Sequence, residues 1–336
     1  MPGRGVIKLL ATGGTIATTI DLATGRSGPS LSAGALAAGL GAAGDDLELV
    51  AEELTNSPSW ALGPEQMAGI ARAARDAARQ PGVRGVVVMH GTTTLEYTAF
   101  LADLFLDVDT PVVFTGAMRR ADDADPDGPR NLHDAVQVAA SDEARGVGAL
   151  VVFAGRILHA SGAWKARRID LDAFVDLRGQ LGQISNGLID LAPTSAAVHR
   201  RPEPFAGQID PNVALIKAVP GMGAWPLTVL PEEIRGAVVE ALPGVGGIPP
   251  GMVQAVVEAA QRIPVVLASR APYGRLPETS TGGTGEPLRG AGLLSAGSLT
   301  AEQAYLLLMA VLAETGSSGE AAARFVTAAQ SGASPR

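Results

Sequence analysis

The chain has 336 residues, of which 46% are apolar, and 34 acidic against 26 basic residues give a formal net charge of −8. Its length predicts two domains, and its hydrophobicity, together with 42 glycines, is typical of a folded α/β protein and excludes a disordered chain. The acidic balance disfavours nucleic acid as a partner, and the lack of cysteine excludes disulfides and thiol catalysis.

Signals for targeting and for metal binding are weak along the whole sequence. The first residues lead into a strand without the apolar segment of a signal peptide, and no apolar run reaches about 20 residues. We therefore expect a cytoplasmic protein with no membrane partner. The four histidines are scattered without the spacing of a metal site, so the sequence predicts no metal ligands.

Short apolar runs alternate with alanine-rich stretches through the first part of the chain. Continuous β-branched runs separated by helices are typical of a buried parallel sheet. The predicted strands are 6–11, 85–89, 111–115 and 149–154, and the predicted helices are 64–80, 95–106 and 131–144.

A polar, proline-containing stretch interrupts this alternation and predicts an inter-domain linker over 193–212. The alternation then resumes. The predicted strands are 213–219, 236–242 and 265–269, and the predicted helices are 252–262 and 300–313. The expected fold is α/β, with a larger N-terminal parallel-sheet domain over 1–192 and a smaller C-terminal α/β domain over 213–336.

The segment 12–17, Thr-Gly-Gly-Thr-Ile-Ala, directly follows the first predicted strand. Gly13 and Gly14 permit a tight turn whose backbone N–H groups can hold an oxyanion, and Thr15 offers a hydroxyl beside them. The alternative is an ordinary turn between strand and helix with a threonine cap. A phosphate loop is excluded because the Walker lysine and its spacing are absent.

The segment 90–96, His-Gly-Thr-Thr-Thr-Leu-Glu, lies between a buried strand and a helix. Thr94 is expected to cap the helix, whereas Thr92 and Thr93 exceed what capping requires. Because helix N-termini favour anionic groups, a substrate carboxylate could bind here. A cap within a packed turn is the alternative interpretation.

Lys165 is one of three lysines in a chain that otherwise uses arginine for its cations, the others being Lys8 and Lys217. It follows a predicted strand, within a loop. A desolvated lysine can lose its proton and act as a base toward a threonine hydroxyl. A solvated surface lysine is the alternative.

Together these segments resemble the bacterial-type L-asparaginase/glutaminase family. The segment 12–17 matches its first signature, TGGTIA, and 90–96 matches its second, HGTDTLEE, with one change. Further matches are 114–119, Asp127 with Gly128, Asn131 with Leu132, and 296–300. The resemblance implies two α/β domains, no cofactor and no metal, and a small-molecule amide as substrate. It also implies a homodimer or homotetramer whose active sites lie between subunits.

The resemblance also implies roles for individual residues. Thr15 matches the nucleophilic threonine, Thr92 matches the second threonine, and Lys165 matches the lysine that partners it. Ser57 resembles the serine that binds the substrate α-carboxylate. The backbone N–H groups of the turns that contain Gly14 and Gly91 are expected to bind substrate and stabilise an oxyanion.

Four positions depart from the family pattern. Thr93 stands in place of an aspartate that pairs with the substrate α-ammonium and interacts with the lysine. Leu31 stands in place of a loop tyrosine, and Gly247 in place of an asparagine. Gly285 stands in place of a glutamate that also binds the substrate ammonium in the family, and the neighbouring Glu286 is the candidate substitute.

Two functional interpretations follow from these losses. The first is an asparaginase-type amidohydrolase, either a weak asparaginase or, as the losses favour, an enzyme whose substrate lacks a free α-ammonium. Such a substrate is an N-acylated or α-substituted amide or an amide of a dicarboxylic acid. The second is a catalytically impaired homologue that binds a small carboxylate as a sensor or structural partner.

Overall fold

A computed structural model describes residues 5–40, 47–191 and 203–331. By its internal contacts the chain divides into two compact units, Met1–Arg200 and Arg201–Arg336. Residues 193–202 of the predicted linker lie outside the described residues, so the linker bounds stay a prediction. No helix in the described part of the chain is long and apolar enough to cross a membrane.

The first unit contains twelve described strands and four described helices. The strands are β1 (Gly5–Ala11), β2 (Thr18–Ile20), β3 (Ser27–Pro29), β4 (Leu47–Glu53), β5 (Val83–Met89), β6 (Val112–Thr115), β7 (Ala149–Phe153), β8 (Arg156–His159), β9 (Ala163–Lys165), β10 (Phe174–Asp176), β11 (Gly182–Ser185) and β12 (Leu188–Leu191). The helices are α1 (Ala33–Ala38), α2 (Pro64–Ala78), α3 (Leu95–Phe105) and α4 (Gly128–Ala140), with 3₁₀ turns at Thr15–Ala17 and Ser59–Ala61.

Within these residues the main sheet has eight strands in the order β12-β11-β8-β7-β6-β5-β1-β4. Strands β1, β5, β6 and β7 are parallel, as the sequence predicts, and β4, which the sequence did not predict, pairs parallel with β1. Strands β8, β11 and β12 add an antiparallel edge that the sequence did not predict. The turn from β7 to β8 is Ala154-Gly155, with φ of 51° and 73°. Two positive φ values are what a two-residue hairpin needs, so the chain reverses there.

The parallel part of the sheet is covered closely by helices. Val86, Val87 and Val88 of β5 are fully buried, as expected for a strand with both faces covered. Small side chains permit this packing, because a Cβ on Gly85 would lie 2.0 Å from the carbonyl oxygen of Ala139 in α4. Helix α4 can approach β5 this closely because residue 85 has no side chain.

The predicted helix positions need one clear adjustment. Helix α4 runs from Gly128 to Ala140 rather than over 131–144. Pro129 lies in its first turn, where the missing N–H costs no hydrogen bond, so the helix can begin before Asn131.

The second unit has a four-stranded parallel sheet within the described residues. Its strands are β13 (Val213–Lys217), β14 (Gly236–Ala241), β15 (Val265–Ser269) and β16 (Leu293–Ser295). Its helices are α5 (Trp225–Thr228), α6 (Pro250–Ala260), α7 (Ala301–Glu314) and α8 (Ser318–Ser331). A capping box starts α7, since Thr300 Oγ1 accepts the Gln303 N–H and Gln303 Oε1 accepts the Thr300 N–H.

The sheet order of the first unit places the two signature segments side by side. Strands β1 and β5 are parallel neighbours, and Ala11 pairs with Met89 at their carboxyl ends. The loops that follow these residues therefore start at the same edge of the sheet. Ligands of open α/β sheets bind at this edge.

Candidate active site

The two signature loops touch through their glycines. Gly14 has φ of +86°, and a Cβ there would lie 2.5 Å from Gly91 Cα. Thr12 ties the first loop to β5, because its N–H and its Oγ1 both donate to the Met89 carbonyl at 3.0 Å. Glycine is required at position 14 both for its left-handed φ and for this backbone contact.

Thr15 opens a 3₁₀ turn at the edge of the sheet. The turn is closed by the Ala17 N–H, which donates to the Gly14 carbonyl at 3.0 Å. The Thr18 hydroxyl donates to the same carbonyl at 2.9 Å. Thr15 is half-buried, and its hydroxyl makes no hydrogen bond to any described residue.

The loop that follows Thr15 forms the β2–β3 hairpin, and its polar side chains bond locally. Thr19 Oγ1 lies 2.7 Å from Ser30 Oγ, and Asp21 accepts the N–H groups of Ala23 and Thr24. Leu31, at the position of the family tyrosine, packs against the core of the first unit.

Thr92 and Lys165 form the central polar contact of the site. Lys165 Nζ lies 2.7 Å from Thr92 Oγ1, although the two residues come from different elements. Thr92 is 7% exposed, and Lys165 is half-buried at the end of β9. Burial lowers the pKa of Lys165, and the negative charge of Glu96 opposes part of that effect. Lys165 is therefore not a solvated surface lysine.

His90 packs beneath the second signature loop as a buried side chain, and the sequence did not single it out. Its ring is fully buried, with Nδ1 at 2.9 Å from the Gly91 carbonyl and Nε2 at 3.0 Å from Thr98 Oγ1. A carbonyl can only accept, so Nδ1 carries the proton and Nε2 accepts. Burial lowers the pKa of His90 to about 4, against a weaker raising effect of the Gly91 bond, and the ring is neutral at pH 7.

The segment after β4 clamps both signature loops. A Cβ on Gly13 would lie 3.0 Å from both the backbone N and the backbone O of Ser57, whose N–H donates to the Thr12 carbonyl at 3.3 Å. Ser57 itself is half-buried, with Oγ 3.2 Å from Thr55 Oγ1. Ser57 thus packs against the turn at Thr12 and Gly13 that leads to Thr15.

Ser59 is a further contact residue that sequence reasoning missed. Its Oγ accepts the Thr93 N–H at 3.3 Å, and its carbonyl accepts the Thr94 hydroxyl at 2.9 Å. Thr94 occupies the N-cap position of α3, but its side chain makes no capping bond, so that prediction was wrong. The Thr94 hydroxyl instead donates to the Ser59 carbonyl, and the Thr94 backbone, with φ of −129° and ψ of 14°, is not in the extended conformation from which a threonine usually caps a helix.

Of the two positions at which the family binds an ammonium, one is Thr93 and the other is Gly285. Neither carries a carboxylate, and the neighbouring Glu286 supplies the candidate one. Thr93 is exposed on the second loop. Gly285 has φ of +85°, which strains any side chain, whereas a Cβ on Gly247 would meet no atom within 4 Å. Glu286 is exposed in a turn of the second unit, where Thr284 Oγ1 accepts its N–H at 3.3 Å. The binding role of Glu286 stays a prediction.

The third matched stretch builds a scaffold around these loops. Asp127 accepts the N–H groups of Met118 and Arg119 at 2.8–3.1 Å. Asn131 Nδ2 donates to the Gly116 carbonyl at 3.0 Å, and its Oδ1 accepts the Ala154 N–H at 3.1 Å. These residues therefore shape the ends of β6 and β7.

A parallel sheet whose edge carries two adjoining threonine-containing loops, one of them in contact with a half-buried lysine, is the arrangement expected of an asparaginase-like amidohydrolase. Comparison with known proteins identifies the family directly. The profile described as "Asparaginase, N-terminal" matches residues 6–196, and the profile described as "Glutaminase/Asparaginase C-terminal domain" matches residues 212–325. The chain belongs to the asparaginase family, and its two-domain fold is that family's fold.

Individual relatives agree with this assignment. The chain is 38% identical to a "Probable L-asparaginase" of Deinococcus radiodurans over 81% of this chain and 83% of that protein. It is 30% identical to a component of the glutamyl-tRNA(Gln) amidotransferase of Methanobrevibacter smithii over 96% of this chain and 75% of that protein. The crystal structure of a "Probable Cytoplasmic L-asparaginase" from Campylobacter jejuni superposes with a TM-score of 0.83 at 28% identity, covering 96% of this chain and 99% of that one.

Proposed function

We propose that the protein hydrolyses a carboxamide with Thr15 Oγ1 as nucleophile, through an ester on that threonine, and releases ammonia or an amine. The contact between Lys165 Nζ and Thr92 Oγ1 at 2.7 Å carries the proposal. Burial lowers the pKa of Lys165, which increases the fraction of neutral amine near pH 7. A neutral amine beside a hydroxyl can accept a proton during acyl transfer.

The proposed reaction has two steps. Thr15 Oγ1 attacks the amide carbon, and its proton passes through the Thr92 hydroxyl to Lys165. The C–N bond then breaks, the departing nitrogen takes the proton from Lys165, and the acyl group stays on Thr15. Water attacks this ester and loses one proton to the same pair, which returns it to Thr15 as the acid leaves.

Backbone groups of the two loops complete the proposed site. The N–H groups of the turns around Gly14 and Gly91 stabilise the oxyanion, which is commonly a large contribution in acyl transfer. Ser57 binds a carboxylate of the substrate. The glycine contact between the loops supports this arrangement, because it fixes Thr15 and Thr92 at one edge of the sheet.

The proposed substrate lacks a free α-ammonium. Thr93 cannot supply the negative charge that an ammonium requires, and the backbone at Gly285 disfavours any side chain. Position 93 is exposed, and there an ammonium that lacks a carboxylate at 4 Å loses about 1 kcal/mol of attraction. An N-acylated or α-substituted amide, or an amide of a dicarboxylic acid, avoids this cost.

A homodimer or homotetramer with sites at the subunit interface is part of the proposal, and Glu286 is the candidate from the second unit. A cytoplasmic location stays a prediction. The Campylobacter jejuni protein is named cytoplasmic, whereas a relative from Haemophilus influenzae is named periplasmic.

An ammonia-release assay across a panel of amides tests the proposal. Succinamic acid and N-acyl-asparagine are expected to be hydrolysed faster than L-asparagine. Thr15→Ala is expected to abolish turnover, whereas the same change at Thr327, an exposed threonine of α8, is the matched control. Selective turnover of free L-asparagine would overturn the substrate assignment. No release from any amide, with retained binding of a small carboxylate, would favour an impaired homologue instead.

A further inference from the structure

Glu96 contacts Lys165 from the start of helix α3. Its carboxylate accepts a hydrogen bond from the backbone N–H of Lys165. Thr92, four residues earlier, contacts the Nζ of the same lysine. One short segment of the second signature therefore holds Lys165 at its backbone and at the tip of its side chain.

The strand that carries Lys165 needs such an anchor. Strand β9 has three residues and pairs with β10 in a separate two-stranded sheet, outside the eight-stranded sheet. Beyond its end, the N–H groups of Ala166 and Arg167 both donate to the carbonyl of Ala173, the residue before β10. The Glu96 contact joins this small sheet to α3, whose first residues follow the Thr92 loop.

The charge of Glu96 also acts on the lysine. The negative charge of Glu96 raises the pKa of Lys165, against the larger lowering that burial causes. On the strand opposite, Lys165 pairs with uncharged Phe174, and the Thr92 loop is backed by neutral His90. Thr93 adds no charge. A carboxylate in the first turn of a helix is itself stabilised by the N–H groups there.

We propose that Glu96 is a positioning residue for the reaction, which holds Lys165 in register with Thr92 and serves as its counter-ion where the family aspartate is missing. This inference rests on the proposed function. Glu96 bonds the lysine backbone and acts through Lys165. Its loss should therefore change turnover and pH dependence more than substrate binding.

Two substitutions separate the contact from the charge. Glu96→Gln keeps an acceptor for the Lys165 N–H but removes the charge, so the limb of the pH profile governed by Lys165 should move about one unit lower. Glu96→Ala removes both, and kcat should fall about tenfold or more because the lysine is released, with KM changed less than twofold. Glu65→Gln is the matched control, since Glu65 holds the equivalent first-turn position of α2 and is exposed.

A measurement without substrate keeps the inference independent of activity. The chain has three lysines, so ¹³C-labelled lysine gives three resolvable NMR signals, and Lys165→Met assigns one of them. The pKa measured from the Lys165 signal should lie below the ordinary lysine pKa. It should fall further in Glu96→Gln and stay unchanged in Glu65→Gln.

The outcomes separate the two proposals. If the Lys165 titration and the pH profile are unchanged in Glu96→Gln, or change equally in Glu65→Gln, the role of Glu96 is refuted. If every amide fails with the wild-type protein, the proposed function is refuted, and the NMR titration still decides whether Glu96 sets the state of Lys165. If Glu96→Ala does not fold, Glu96→Gln and its titration decide alone.

Discussion

Replacing Gly14 with alanine tests the contact that brings the two signature loops together. The added Cβ would lie 2.5 Å from Gly91 Cα and 2.7 Å from Gly91 N, at a residue whose φ is +86°. With φ of 86° and ψ of −176°, Gly14 lies in a backbone region that is almost restricted to glycine, where another residue costs about 1–3 kcal/mol, and overpacking adds about 1–3 kcal/mol. We expect Gly14→Ala to lower the free energy of unfolding by about 2–6 kcal/mol.

The same substitution should impair turnover. Carbon atoms pack at about 3.5–4.0 Å, so the two loops must separate by about 1 Å. A displacement of this size near reacting groups costs about 100-fold in rate. Urea unfolding gives the stability change, and ammonia release from the best amide of the panel gives kcat.

Gly82 is a control that has a positive φ, like Gly14, but lacks the close contact with another loop. Gly82 has φ of +82°, and a Cβ there would meet no atom within 4 Å. Gly82→Ala should therefore cost only about 1–2 kcal/mol and leave kcat unchanged. Equal stability losses in the two variants, with kcat of Gly14→Ala within twofold of wild type, would refute the close contact.

The remaining predictions concern charge. Thr93→Asp adds a carboxylate at an exposed position, and its attraction for an ammonium at 4 Å in water is about 1 kcal/mol. The ratio of kcat/KM for L-asparagine to kcat/KM for succinamic acid should therefore rise about fivefold. An unchanged ratio would contradict this prediction. Because the pKa of His90 is lowered from 6.5 to about 4, its contribution to stability is full above pH 6.5 and is lost as pH falls to 4. That loss is about 3 kcal/mol, and urea unfolding of His90→Asn should show a shallower decline over this range.

The regular elements followed from local patterns. Buried β-branched runs predicted β5, β7 and β15 to within a few residues, because a strand covered on both faces needs apolar side chains at every position. The antiparallel edge was missed, since its strands are short and partly exposed and their pairing depends on turn backbone. Helix α8 was also not predicted.

The candidate site was predicted in part. The glycines and hydroxyls after β1 and β5 pointed to the correct edge of the sheet, because carboxyl ends of parallel strands meet there. Ser59, His90 and Glu96 were missed as contacts, since a serine, a histidine or a glutamate near a loop carries no local signal of its partner. Their partners became visible only in three dimensions.

The sequence by itself determined the α/β class, the two signature turns and the loss of a carboxylate at Thr93, because each depends on residue type at a local position. The family resemblance implied that Lys165 partners Thr92, but only the tertiary structure decided how two residues 73 positions apart along the chain come within 2.7 Å of each other. That contact depends on where β5 ends and on how the small sheet of β9 and β10 meets α3. The lowered pKa of Lys165 has the same origin, because burial is a property of the packed fold.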